Sequence, residues 1–169
     1  MSEIYFEADA AKGRNTLLLS INQEHLIGPA LVQKLYSQGF ELKPEFHITI
    51  FDDKPGSQLF AQIHNLDSVY QDAIFDFVRS ATEAAPWPIA PRDEFYVIRK
   101  QYEGEACPRE SVIQMVDCPN MIKFYDTLST LVGDELELPP AHITLATKGS
   151  SRGIGISMAA DILKFGQKW

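Results

Sequence analysis

His47 and His142 each stand two residues ahead of a threonine, inside a repeated His-Ile-Thr tripeptide. The contexts are Phe46-His47-Ile48-Thr49-Ile50 and Ala141-His142-Ile143-Thr144-Leu145, apolar on both sides. Alternate residues of a strand share a face, so each His points the same way as its Thr and the Ile between them points opposite. Each copy therefore presents an imidazole beside a hydroxyl from a strand whose other face is buried. Two such copies facing one another supply a general base, a general acid and two hydrogen-bond donors for an anion, a set suited to phosphate ester chemistry. With four His and seven Thr in 169 residues, this spacing occurring twice is rare by chance.

The two tripeptides lie 95 residues apart, and sliding the chain by 95 aligns more than the motifs. Leu17-Leu18 falls on Val112-Ile113, Ile21 on Val116, Ile27 on Ile122 and Pro44 on Pro139. Each copy reads as an apolar strand, a helix, a Pro-containing turn and a strand with His-x-Thr. Repeats of this kind point to duplicated supersecondary units related by a pseudo-twofold axis, which would bring both histidines to one cleft. The repeat units run roughly over 16–51 and 111–147.

The elements that must position the motifs follow from pattern. Thr16 to Ile21 is an apolar run expected to be a central strand. Gly28-Pro29 precedes a helix with Leu31, Val32, Leu35 and Tyr36 inward, closed by Gly39. Phe46 to Phe51 is the first motif strand, and Asp52 to Gly56 is expected to turn the chain. Residues 57–85 read as two helices broken near Asn65-Leu66-Asp67, the second with Tyr70, Ile74, Phe77 and Val78 inward. Ala85 to Pro91 reads as an extended connection, because its prolines exclude helix. Glu94 to Gln101 and Ser111 to Asp117 form a hairpin, and Asn120 caps a helix running to about Val132, with Phe124, Tyr125, Leu128 and Leu131 inward. Ala141 to Thr147 is the second motif strand, ahead of a loop at 148–153 and a short terminal strand or helix.

The whole chain bounds the partners. At 169 residues it is expected to be one domain, residues 1–169, with ordinary globular composition. No segment has the length of a membrane span, and Met1 to Asn15 contains no signal-peptide-like apolar run. Cys107 and Cys118 have neither metal-type nor disulfide-framework spacing, so a cytoplasmic location is expected. The net charge of −8 favours a small nucleotide or an RNA end over long nucleic acid.

Two apolar-His-apolar-Thr-apolar strands in duplicated halves of a short chain resemble the two-histidine phosphoesterase superfamily. Its members include RNA 2′,3′-cyclic phosphodiesterases, 2′-5′ RNA ligase-like proteins and 2′,5′-oligoadenylate phosphodiesterases. The resemblance spans about Thr16 to Thr147, and both motif copies match in full. It implies an α+β, bilobal fold with two antiparallel-type sheets lining a central cleft and helices outside. It further implies catalysis without a metal or other cofactor, with His47 and His142 as the catalytic pair and Thr49 and Thr144 holding phosphate oxygens. The expected activity is hydrolysis of a nucleotide or RNA-end 2′,3′-cyclic phosphate, or of a related small phosphodiester. Two other readings stay open: a catalytically silent nucleotide-binding module and a 2′-5′ RNA ligase. The residues do not say which His is base and which acid.

Further candidates surround the motifs. Lys148, Ser150 and Arg152 follow the second motif in a loop where amides and a cation meet an anion. Tyr96, Tyr102 and Trp87 are aromatic residues of a kind that stacks on a base. Asp52 and Asp53 read as a solvated turn, and His25 and His64 as surface or capping histidines.

Overall fold

The computed structural model describes residues 4–9, 14–22, 26–83 and 87–169. Among these the chain forms strands β1 (Ile4–Asp9) and β2 (Arg14–Ile21), helix α1 (Pro29–Ser37), then β3 (Glu41–Leu42) and β4 (Phe46–Phe51). Helices α2 (Asp53–His64) and α3 (Ser68–Glu83) follow, then β5 (Ala90–Lys100) and β6 (Arg109–Asp117). Helix α4 (Pro119–Val132), β7 (His142–Lys148), α5 (Ala159–Phe165) and β8 (Gly166–Lys168) complete it. The fold is α+β.

The strands form one antiparallel sheet in the order β1-β2-β4-β7-β6-β5-β8, with β3 paired to β7. Two sheets were expected; the two halves are instead continuous, because the motif strands pair with each other. About the β4–β7 pair the order is a palindrome up to β1 and β5. The match extends to irregularities. The β2–β4 register shifts between Leu17 and Leu18, leaving Ile50 as the extra residue. The β6–β7 register shifts between Val112 and Ile113, leaving Leu145 as the extra residue. Both bulges follow the motif threonine directly, and they sit at positions 95 apart.

Burial separates the sheet's faces. Phe46, Ile48, Ile50, Ile143 and Leu145 join the main core with Leu59 and Ile63 of α2, Ile74 of α3, and Met121, Phe124, Tyr125 and Leu128 of α4. Leu35 of α1 packs with Phe40, Val112 and Ala146. The opposite face carries a smaller cluster of Ile98, Ile113, Met115, Ile154 and Ile156, with Ile162 and Phe165 of α5 against it. The Tyr125 hydroxyl donates to the carbonyl of Ile50, so α4 satisfies a backbone group at the first bulge.

Local chemistry explains several boundaries that differ from expectation. Asp52 does not begin a turn: it is the N-cap of α2, and its carboxylate accepts from the Asp53 amide at 2.8 Å. Pro119 opens α4 at the first helical position, so Asn120 lies inside the first turn instead of capping it. Tyr36 and Tyr70 are 56% and 59% exposed, each at the edge of its helix's apolar stripe and turned to solvent. Ala90 and Pro91 already belong to β5, and Trp87 is buried in the main core beside Phe124. Residues 84–86 of the expected connection, and His25, lie outside the described residues. Gly39 and Gly133 follow α1 and α4 with φ of 78° and 76°, the left-handed closure that favours glycine.

Candidate active site

The decisive contact is the pairing of Ile48 with Ile143. Both side chains are fully buried on the helix-covered face. Continuing the antiparallel register one step each way sets His47 against Thr144 and Thr49 against His142. The four motif side chains thus form one patch on the opposite face. His47 and His142 are diagonal neighbours across the strands, a relation that separates such residues by about 7–8 Å. That separation leaves room for a phosphate between two imidazoles.

The flanking strands complete the patch. In β2, Ser20 lies opposite His47 and Leu18 opposite Thr49. In β6, Met115 lies opposite His142 and Ile113 opposite Thr144. His142 is buried at 8% exposure, whereas His47, Thr49 and Thr144 are half-buried. The His142 Nδ1 lies 2.7 Å from the Pro140 carbonyl. A carbonyl oxygen only accepts, so Nδ1 carries the proton and Nε2 is the basic nitrogen of the neutral ring.

Burial pushes the His142 pKa below the ordinary histidine value, and the neighbouring His47 adds to that shift. The bond to the Pro140 carbonyl and the charge of Asp52 oppose it without reversing it. His142 is accordingly neutral near pH 7. The unfolded chain takes up a proton first as pH falls through about 6.5, so the contribution of His142 to stability is present above that pH. It is lost as pH falls from there toward the lowered folded value. The urea midpoint is therefore expected to fall between pH 7.5 and 5.5, and His142→Gln should flatten part of that slope. An unchanged slope in the variant would contradict a neutral buried imidazole.

A strap from Arg152 to Ser157 crosses this face. Ile154 and Ile156 are buried in the cluster with Ile113 and Met115, while Gly153 and Gly155 face the motif side. A Cβ built on Gly153 would lie 3.7 Å from Thr144 Oγ1, and one on Gly155 would lie 2.8 Å from Asp52 Oδ2. Asp52 therefore borders the patch, one oxygen accepting from the Asp53 amide at the α2 N-terminus and the other facing the strap at Gly155. Tyr102 packs on the same cluster with the Arg109 guanidinium 4.2 Å from its ring centroid, and Arg109 pairs with Glu105.

The outer candidates divide. Tyr102 reaches the neighbourhood of the motifs, close enough to Asp52 for the carboxylate to help raise its pKa, though burial is the larger cause. Arg152 adjoins Gly153 on the strap and lies near Glu105, whose pKa it helps lower after the larger effect of Arg109. Ser150 is spent locally, accepting from the Arg152 amide. Lys148 is not at the site: it donates to the Gln38 carbonyl at 3.1 Å and lies over the Phe40 ring. The bulge at Leu145 reverses the alternation, so Ala146 and Lys148 take the helix-covered face. Tyr96 shares the motif side but lies beyond β6, its hydroxyl bonded to Glu94. Trp87 is a core residue, and His64 ends α2 with Nδ1 against the Phe60 carbonyl.

Gly153, Gly155 and Arg109 were not anticipated as site neighbours, and Asp52 was weighed as a ligand beside His47 but read as a solvated turn. The Gly153-Ile154-Gly155-Ile156 alternation was a visible signal of an extended segment with one apolar face. Among the described residues, no three His, Cys, Asp or Glu side chains converge in a group able to hold a metal ion, and no helix is long and apolar enough to cross a membrane. Compared with known proteins, the chain matches no family model, no curated protein and no solved structure.

Proposed function

We propose that this protein is a phosphodiesterase that hydrolyses a nucleotide or RNA-end 2′,3′-cyclic phosphate, or a related small phosphodiester, with two histidines as general base and general acid. The observation that carries this reading is the Ile48–Ile143 pairing, which sets two imidazoles and two hydroxyls on one surface. The coincident bulges and the palindromic strand order support reading the chain as a duplicated unit with two pseudo-symmetric lobes meeting at this patch.

The pseudo-symmetry breaks in a useful way. Neutral His142, with Nδ1–H on the Pro140 carbonyl, takes a proton from water through Nε2. The water oxygen bonds to phosphorus, and the bond from phosphorus to the ribose oxygen breaks on the far side. His47, as imidazolium, gives its proton to that leaving oxygen. Thr49 and Thr144 donate to the non-bridging oxygens as negative charge gathers there. In-line displacement needs base and acid on opposite sides of phosphorus, the relation that diagonal strand positions supply. The net charge of −8 favours small substrates over long nucleic acid.

The test is a product assay by phosphorus NMR in EDTA, with 2′,3′-cyclic mononucleotides and short 2′-5′ and 3′-5′ oligonucleotides, run beside His142→Ala. Cleavage by wild type alone is expected, and the phosphate position in the product identifies the bond broken. No turnover on the full panel, with nucleotide still bound, would replace this reading with a binding module.

A further inference from the structure

Gly153 and Gly155 face the same side of the strap for different reasons. At Gly155 the reason is present in the protein itself, since a methyl would collide with Asp52 Oδ2 at 2.8 Å. At Gly153 no such reason exists. Its φ is outside the left-handed region, and among the described residues a Cβ would meet only Thr144 Cγ2 and Oγ1, each at the ordinary distance of 3.7 Å. Neither backbone conformation nor packing demands glycine there. The strap itself is pinned at both ends and along its length. Lys43 Nζ donates to the Ser151 carbonyl at 2.8 Å, Ile154 and Ile156 are buried, and the Asp161 carboxylate accepts from the Ser157 amide at 2.9 Å. The open volume beside the Thr144 hydroxyl is therefore a fixed feature of the surface.

We infer that Gly153 is a specificity-determining residue: the space left by its missing side chain, beside Thr144 Oγ1, receives an oxygen of the ligand's phosphate. This rests on the proposed function for the identity of the ligand, and on the strap geometry for its position. An oxygen accepting from Thr144 Oγ1 sits about 2.7 Å away, closer than a methyl carbon at 3.7 Å permits along the same approach. Glycine in an extended segment often marks such a close approach of ligand to backbone.

The experiment titrates inorganic phosphate into wild type and Gly153→Ala, following the imidazole proton resonances, with cyclic mononucleotide turnover measured in parallel. The methyl fits the unliganded protein, so the thermal midpoint should hold. Phosphate binding should weaken about tenfold or more, the expected effect of losing one hydrogen bond to a charged group. In turnover, kcat/KM should fall by a similar factor, because the same Thr144 hydrogen bond serves the transition state. Equal phosphate affinity in the two proteins overturns the inference even if wild type is an active phosphodiesterase. Weakened phosphate binding in Gly153→Ala, with wild type turning over none of the full phosphodiester panel, sustains the inference and defeats the phosphodiesterase reading. Two further results also overturn it: a large drop in thermal midpoint, and recovery of affinity in Gly153→Ala/Thr144→Ser. The double variant keeps the hydroxyl and removes the methyl that the new side chain would press.

Discussion

Replacing either motif histidine with alanine is expected to lower kcat about 10²- to 10⁴-fold, the usual contribution of one positioned proton-transfer group. On the proposed mechanism His142→Ala removes the base and His47→Ala the acid, so both variants should lose the same step. Circular dichroism should be unchanged for His47→Ala, whose ring is half-buried. Thr49→Ala and Thr144→Ala should cost less, about tenfold to a hundredfold, because each removes one donor to a charged oxygen. The wild-type profile of kcat/KM against pH should be bell-shaped, and each His variant should lose one limb. Full activity in either His variant would sink the two-histidine mechanism.

The second large effect is on stability. Ile48 lies under the first motif with no exposed surface, paired to Ile143 under the second. Ile48→Ala is expected to destabilise the fold by about 2–5 kcal/mol, combining lost burial with the cavity left behind. Ile143→Ala should cost a similar amount. Because the two side chains are neighbours, the double variant should cost less or more than the sum by about 0.5–3 kcal/mol. Urea denaturation of the four proteins measures this directly. Strict additivity would mean that the two isoleucines do not share one packed seam.

The motif strands were legible because period-2 alternation and a repeated tripeptide act over a few residues. Helices α1, α3 and α4 were legible for the same reason, from apolar spacing in all three and from Pro and Gly at the ends of α1 and α4. The pairing of β4 with β7 was reachable only through the 95-residue offset, which suggests an axis but not whether the halves touch edge to edge. That depends on which strand edges remain unpaired once each half has formed, a tertiary matter. Lys148 shows a different limit: a single extra residue at Leu145 moves every following side chain to the other face, and nothing in the local sequence marks the bulge. Asp52 illustrates competing roles for one residue type, since Asp-Asp-Lys-Pro-Gly suits a turn and a helix start equally well. Gly153 and Gly155 acquired meaning only when the strap was seen against Thr144 and Asp52.

The seam between the halves also dictates when the site comes into being. β2 pairs with β4 and β6 with β7 within stretches of some 40 residues, and each ladder has five or more paired positions. The first half is register-paired with β7 at Glu41 with Thr147, Leu42 with Ala146 and Ile48 with Ile143, and the Lys43 amide donates to the Leu145 carbonyl, contacts that close about a hundred residues of chain. Closing a longer stretch costs more entropy and yields fewer local rewards, so this junction is the natural last step of folding and the first to open. On the proposed function, competence therefore requires the completed sheet, because His47 and His142 come together only across the β4–β7 pairing.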